Sequence, residues 1–246
     1  MTDNLTLYKQ YINMMLPEFP QSNKNSHNDK FYVIELMRRG KDNPDLPAAN
    51  VHFKNYYIYS WDDFDKYMPE IMEICTIMRM RAYASVNWKS TKQIAMNTIA
   101  SMATRAAQGD FKRIYKEWDS QTSRFSQRNE NIWLLDLDDC DMNSHDASEL
   151  CKIINNCYSQ FENNCIMFFP TRSGCHLLTH PFDTLQFSNE VWKNPDAMKC
   201  LKEFNEKYMS SDNFKATRGW IESQILEWAN NEFIHKNHIT LLYENL

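Results

Sequence analysis

The chain has 246 residues, 43% of them hydrophobic, with 27 Lys and Arg against 32 Asp and Glu and a net charge of −5. That is enough apolar chain for one large core or two small ones, and no apolar run reaches the roughly 18 residues of a membrane span. It holds only four glycines, where average usage of roughly 7% would give about seventeen; the glycine-rich phosphate cradles GxGxxG and GxxxxGK are both absent.

In chain order, residues 3–15 carry helical spacing (Leu5, Tyr8, Tyr11, Ile12, Met15), stop at Pro17 and give way to a polar stretch from Gln21 to Lys30. This predicts an N-terminal helix and linker over 1–30 as an appendage to a single domain over 31–246. FYVIELMRR (31–39) and VHFKNYYIYS (51–60) read as neighbouring strands across a loop with Gly40, Pro44 and Pro47. Ser60 and Asp63 have capping-box spacing and open a helix through about Met78, and RAYASVNW (81–88) alternates like a strand. A helix from Ser90 to Gln108 ends at Gly109, and a second is expected from Asp110 to Trp118. NIWLLDLDD (131–139) reads as a buried strand, His145–Phe161 as a helix, NCIMFFPT (164–171) and GCHLLTHPF (174–182) as two strands across a tight turn. A helix near Ala197–Met209 and the extended run ITLLYEN (239–245) close a chain without internal repeats. The elements give an α+β or mixed α/β class.

The charge is unevenly spread. Between Arg79 and Arg128 there are ten basic residues against three acidic, a surplus of seven that leaves −12 for the remainder. Arg79, Arg81, Lys89, Lys92, Lys112 and Arg113, interleaved with Tyr83, Trp88, Tyr115 and Trp118, are candidates to track a phosphate backbone and stack bases. The competing reading is solvated helix faces over core aromatics. Seven cysteines without CxxC spacing, and no leader at the start, fit a reducing cytoplasm. Asparagine, about one residue in ten, fits AT-rich coding in a phage or low-GC bacterium, so the expected location is a bacterial or phage-infected cytoplasm.

The richest segment is IWLLDLDDCD (132–141). On a strand Asp136 and Asp138 share a face about 6–7 Å apart, and two like charges that close call for a divalent cation, Mg²⁺ or Mn²⁺, of the kind that serves nucleotidyl and phosphoryl transfer. Asp139 is expected to face away. About 35 residues on, PTRSGCHLLTHPF (170–182) sets Gly174 two residues before His176, at the start of an apolar strand, with Arg172 and Ser173 beside it. That histidine is placed to meet a phosphate; a satisfied core histidine is the plainer reading.

Hydrophobic-DxD, helix, then strand-turn-(S/G)xH resembles the first two motifs of archaeo-eukaryotic primases and primase-polymerases, carried here by Asp136, Asp138 and Gly174-Cys175-His176. The likeness spans roughly residues 81–244. It implies an RRM-type sheet packed with helices, metal on Asp136 and Asp138, and incoming nucleoside triphosphate held by His176 and Arg172, with Ser173, Lys236 and Asn237 lining the pocket. It also implies single-stranded or primed nucleic acid as partner and a role in DNA replication. In that family serine is commonest where Gly174 stands. The family's third acid falls on Asn230 or Phe233, with Glu227 and Glu232 nearby but off register.

Two other functions compete. A non-catalytic phage or plasmid protein with a primase-like fold would bind nucleotide, nucleic acid or a host protein partner. A haloacid-dehalogenase-type phosphatase also uses DxDxT, but Cys140 stands in place of the threonine and 130 residues of mixed structure precede the motif. A metal-dependent nuclease would show a strand lysine in D-x-K form, which does not follow Asp136. Structural zinc is not expected from the cysteine and histidine spacings.

Overall fold

The computed structural model describes residues 3–22, 29–45, 50–125, 132–201, 223, 225–227, 234–236 and 239–244. The chain divides into two compact units, residues 1–129 with 241–246 and residues 130–240, where the sequence reading drew one domain from residue 31. Both are antiparallel sheets packed with helices, an α+β architecture.

The first unit is built on β1 (Lys30–Arg39), which is buried on both faces from Phe31 to Ile34. β2 (Asn50–Ile58) and β3 (Arg81–Ser85) pair with it antiparallel on either side, β9 (Ile239–Glu244), of which Leu241–Glu244 belong to this unit, extends the sheet beyond β3, and the two-residue β4 (Lys89–Ser90) pairs with the start of β1. Tyr32, Ile34 and Leu36 point to one face and are fully buried. Covering that face are α1 (Asn4–Met15) and α2 (Trp61–Met78), with Tyr8 edge-on to Tyr32 and stacked with Phe64. Phe31 and Val33 face the other way and form a second cluster with Ile94 of α3 (Thr91–Ala107) and Trp118 of α4 (Glu117–Arg124).

The N-terminal helix is therefore no appendage. Tyr8, Tyr11 and Ile12 are fully buried, a contribution of roughly 1.5–3 kcal/mol each for such side chains, and the two phenols donate to the carbonyls of Ser85 (2.8 Å) and Val86 (2.5 Å). Those bonds satisfy what would otherwise be costly buried hydroxyls. At the start of α2, Ser60 accepts from the Asp63 amide at 3.2 Å while the Asp63 carboxylate accepts from the Tyr59 amide at 3.1 Å, the reciprocal cap its spacing predicts. The helix expected over 110–118 begins only at Glu117. Gly109 adopts a left-handed φ of 72° that ends α3, and a short 3₁₀ turn, Ile114–Lys116, leads into α4.

The second unit runs β5 (Trp133–Asp138), α5 (His145–Asn156), β6 (Cys165–Pro170), β7 (Gly174–Thr179), α6 (Thr184–Val191), α7 (Pro195–Lys199) and β8 (Ile234–Lys236). Its sheet order is β6-β7-β5-β8 with every neighbouring pair antiparallel. That β-α-β-β-α-β order, with first and third strands central, is the split βαβ arrangement of RRM and ferredoxin-like sheets. α5 stops at Asn156 rather than 161 because the fully buried Asn164 amide donates to the carbonyls of Ile154 (2.6 Å) and Cys157 (2.9 Å), fixing the chain as it leaves the helix. β7 ends at Thr179, two residues before Pro181. The helix expected over 197–209 is α7 at its start; residues 202–209 lie outside the described residues, as do Asn131 and Pro47.

Candidate active site

Strand alternation sorts β5 cleanly. Leu135 and Leu137 point into a core with Leu150, Ile154, Leu177 and Phe187, which sends Leu134, Asp136 and Asp138 to the opposite face. The neighbouring strand β7 then decides what those acids meet. Its register sets His176 directly across from Asp136 and Gly174 across from Asp138. His176 is buried, with Nε2 3.5 Å from Asp136 Oδ1 and Nδ1 3.0 Å from the hydroxyl of the fully buried Thr240. Asp136 itself is 44% exposed at the side chain. A buried ring between a hydroxyl and a half-open carboxylate is held in orientation at both nitrogens, which is how a histidine is kept ready to meet a ligand.

Asp138 accepts a hydrogen bond from the Ser173 hydroxyl at 3.2 Å. The turn before β7 is closed by the Asp139 amide donating to the Ser173 carbonyl at 2.5 Å and the Thr171 amide donating to the Gly174 carbonyl at 3.0 Å. Asp139 takes a left-handed φ of 58°, which ends the strand. Gly174 is a steric necessity: a Cβ there would lie 2.0 Å from the Leu137 carbonyl oxygen and 2.9 Å from the Asp139 amide. The serine common at this place in primases does not fit in this chain. Arg172 is exposed on the same turn.

Asp136, Asp138, His176 and Ser173 are thus brought together by one pair of strands, and Arg172 flanks them. Lys236 lies in β8 across from Trp133, and Asn237 and Glu232 lie outside the described residues. Glu227 is exposed, and among the described residues no set of three Asp, Glu, His or Cys side chains is arranged to hold a metal ion. The acid pair alone has the hard oxygen donors that Mg²⁺ or Mn²⁺ prefers. Thr240 was not foreseen; nothing in ITLLYEN distinguishes a threonine that meets a histidine from one that fills a strand.

The basic residues of the first unit differ in burial and pairing. Arg81 is 11% exposed and bound by Asp42 (2.8 Å) and Glu244 (3.1 Å), which takes it out of any nucleic-acid contact. Lys89 is half-buried, and burial lowers its ammonium pKa against the opposing pull of Glu35. Arg79 pairs with Asp45 at 3.2 Å. Tyr83 and Trp118 are packed into the unit, the latter stacked on Phe31. Lys92, Lys112 and Arg113 remain exposed, with Phe111 and Tyr115 exposed beside the last two. A polar hollow of about 700 Å³ in the same unit is lined by Glu35, His52, Asn55, Tyr57, Lys116 and Asp119 among others.

No protein-family model, characterised protein or solved structure matches this chain.

Proposed function

We propose that the second unit is a metal-dependent nucleotidyltransferase of the primase-polymerase type, adding nucleotides to a single-stranded or primed nucleic acid. The observation that carries this reading is the cross-strand register: Asp136 and Asp138 share an open face, and His176 stands opposite the first acid with its ring fixed by Thr240. Asp136 and Asp138 would hold Mg²⁺ or Mn²⁺. When bound, that ion supplies neutralisation of phosphate charge and a lowered pKa for the attacking hydroxyl.

The chain's own groups do the rest. In the tautomer whose Nδ1 accepts from the Thr240 hydroxyl, His176 presents an Nε2–H toward the acid face, where it would donate to a phosphate oxygen in place of its long 3.5 Å contact with Asp136. Ser173 keeps Asp138 turned outward, and Arg172 on the same turn offers a bidentate fork to the same triphosphate. The rigid turn around Gly174 holds these groups at fixed spacing, which is where positioning gains its effect.

The test is incubation with Mn²⁺, labelled nucleoside triphosphates and a single-stranded template, with and without primer, for the native protein and Asp136→Asn. Product from the native protein and none from the variant is expected. Equal product from both sinks the assignment.

A second reading is favoured by the absence of a third acid beside the pair among the described residues: a non-catalytic protein that binds nucleotide, nucleic acid or a host protein. No product, together with salt-weakened binding of single strands, selects that reading.

A further inference from the structure

Six of the seven cysteines belong to the second unit, and three of them converge at the buried end of β5. The Cys140 sulfur lies 2.7 Å from that of Cys200, against about 2.0 Å for a covalent S–S bond, and Cys175 belongs to the same buried cluster. The topology makes this junction. Asp139 reverses the strand through its left-handed φ and turns Cys140 inward, while α7 delivers Cys200 at its C-terminus. The two residues are 60 positions apart in sequence, so neither spacing nor motif announces them.

We propose that Cys140 and Cys200 are an oxidative modification site: hydrogen peroxide converts them to a reversible disulfide that fastens the turn after Asp138 to the end of α7. The Cys140 sulfur attacks one peroxide oxygen, the O–O bond breaks, and the products are Cys140 sulfenic acid and water. Cys200 then attacks the sulfenic sulfur, the S–S bond forms, and a second water leaves carrying the hydroxyl and the Cys200 thiol proton. Two sulfurs together give up two electrons and one peroxide becomes two waters. A dithiol reductant reverses the step by thiol–disulfide exchange.

Both thiols are buried, Cys140 at 6% exposure and Cys200 at 3%, so the small size of hydrogen peroxide suits it to the site better than a bulky disulfide oxidant. Pairing is set by proximity. Cys75 and Cys157 are buried singly, and the remaining pair, Cys151 and Cys165, is partly exposed on α5 and β6. The inference stands on this sulfur geometry and is independent of the activity proposed for the acid pair.

The experiment uses the reduced full-length protein, treated with hydrogen peroxide either folded or unfolded in urea, then alkylated and mapped by tandem mass spectrometry without reduction. From the folded protein, the Cys140–Cys200 linkage is expected at least tenfold above any other, with loss of two of seven free thiols and their return on adding dithiothreitol. In urea that preference disappears. Cys175→Ser should leave the linkage unchanged, and Cys200→Ser should slow loss of the Cys140 thiol as a disulfide at least tenfold. A Cys151–Cys165 linkage as the main product, an equal mixture from folded and unfolded protein, or no loss of thiols from the folded protein would each overturn the proposal.

Discussion

Replacing Gly174 by alanine tests whether β5 and β7 meet in the register that builds the acid–histidine face. The added Cβ would sit 2.0 Å from the Leu137 carbonyl oxygen, and both this atom and the Asp139 amide are backbone, so no side chain can swing aside. Restoring even a 3.0 Å contact requires the strand ends to part by about 1 Å, and the two turn bonds at this point, Asp139 amide to Ser173 carbonyl and Thr171 amide to Gly174 carbonyl, cannot both survive that shift. Overpacking costs about 1–3 kcal/mol and each lost hydrogen bond about 0.5–1.5 kcal/mol, so a destabilisation of about 3 kcal/mol is expected.

For a chain of this length that is a fall in Tm of roughly 6–12 °C, read by far-UV circular dichroism and checked by the urea midpoint. Gly109→Ala is the control. No atom lies within 4 Å of its Cβ position, but its φ is +72°, so only backbone strain of about 1 kcal/mol enters. Gly174→Ala melting within about 2 °C of the native protein, or no lower than Gly109→Ala, would refute the register and with it the placement of His176 opposite Asp136.

The remaining expectations follow from single contacts. Thr240→Val leaves His176 Nδ1 without its 3.0 Å partner; a loss of about 1–3 kcal/mol is expected, with a changed His176 tautomer in ¹⁵N NMR, and an unchanged tautomer would show that the hydroxyl does not orient the ring. Glu117 is buried, and its carboxyl pKa is lowered first by the Ser101 hydroxyl at 2.5 Å, then by Gln121 and Arg105. A depressed carboxylate contributes stability that is present above the usual glutamate pKa of about 4.3 and is lost as pH falls through the lower folded value. Glu117→Gln should therefore flatten the acid limb of a stability–pH profile, and an unaltered limb would rule Glu117 out as its source. Changing Lys92, Lys112 and Arg113 together to alanine should reduce the slope of log K against log salt for single-stranded DNA by roughly 2, whereas Arg81→Lys should leave it unchanged because Arg81 is bound by Asp42 and Glu244.

What sequence reasoning could reach here depended on the range over which the controlling interaction acts. Period-two alternation is local, so the shared face of Asp136 and Asp138 was legible from six residues, as was the capping exchange between Ser60 and Asp63. The pairing of Asp136 with His176 needed one more step, the close approach of β7 to β5 that the missing Cβ of Gly174 permits. Contacts set by tertiary closure had no local signature. Thr240 reaches His176 across 64 positions, and Cys140 reaches Cys200 across 60. Arg81 drops out of the basic set for the complementary reason: a count of charges does not reveal that Asp42 and Glu244, far from Arg81 in sequence, have already taken its guanidinium. The N-terminal helix shows the same logic on the apolar side. Its polar linker suggested detachment, yet two phenols whose hydroxyls find the Ser85 and Val86 carbonyls can be buried at little polar cost, so the same helix that reads as loosely attached in sequence becomes part of the core once those acceptors are placed beneath it.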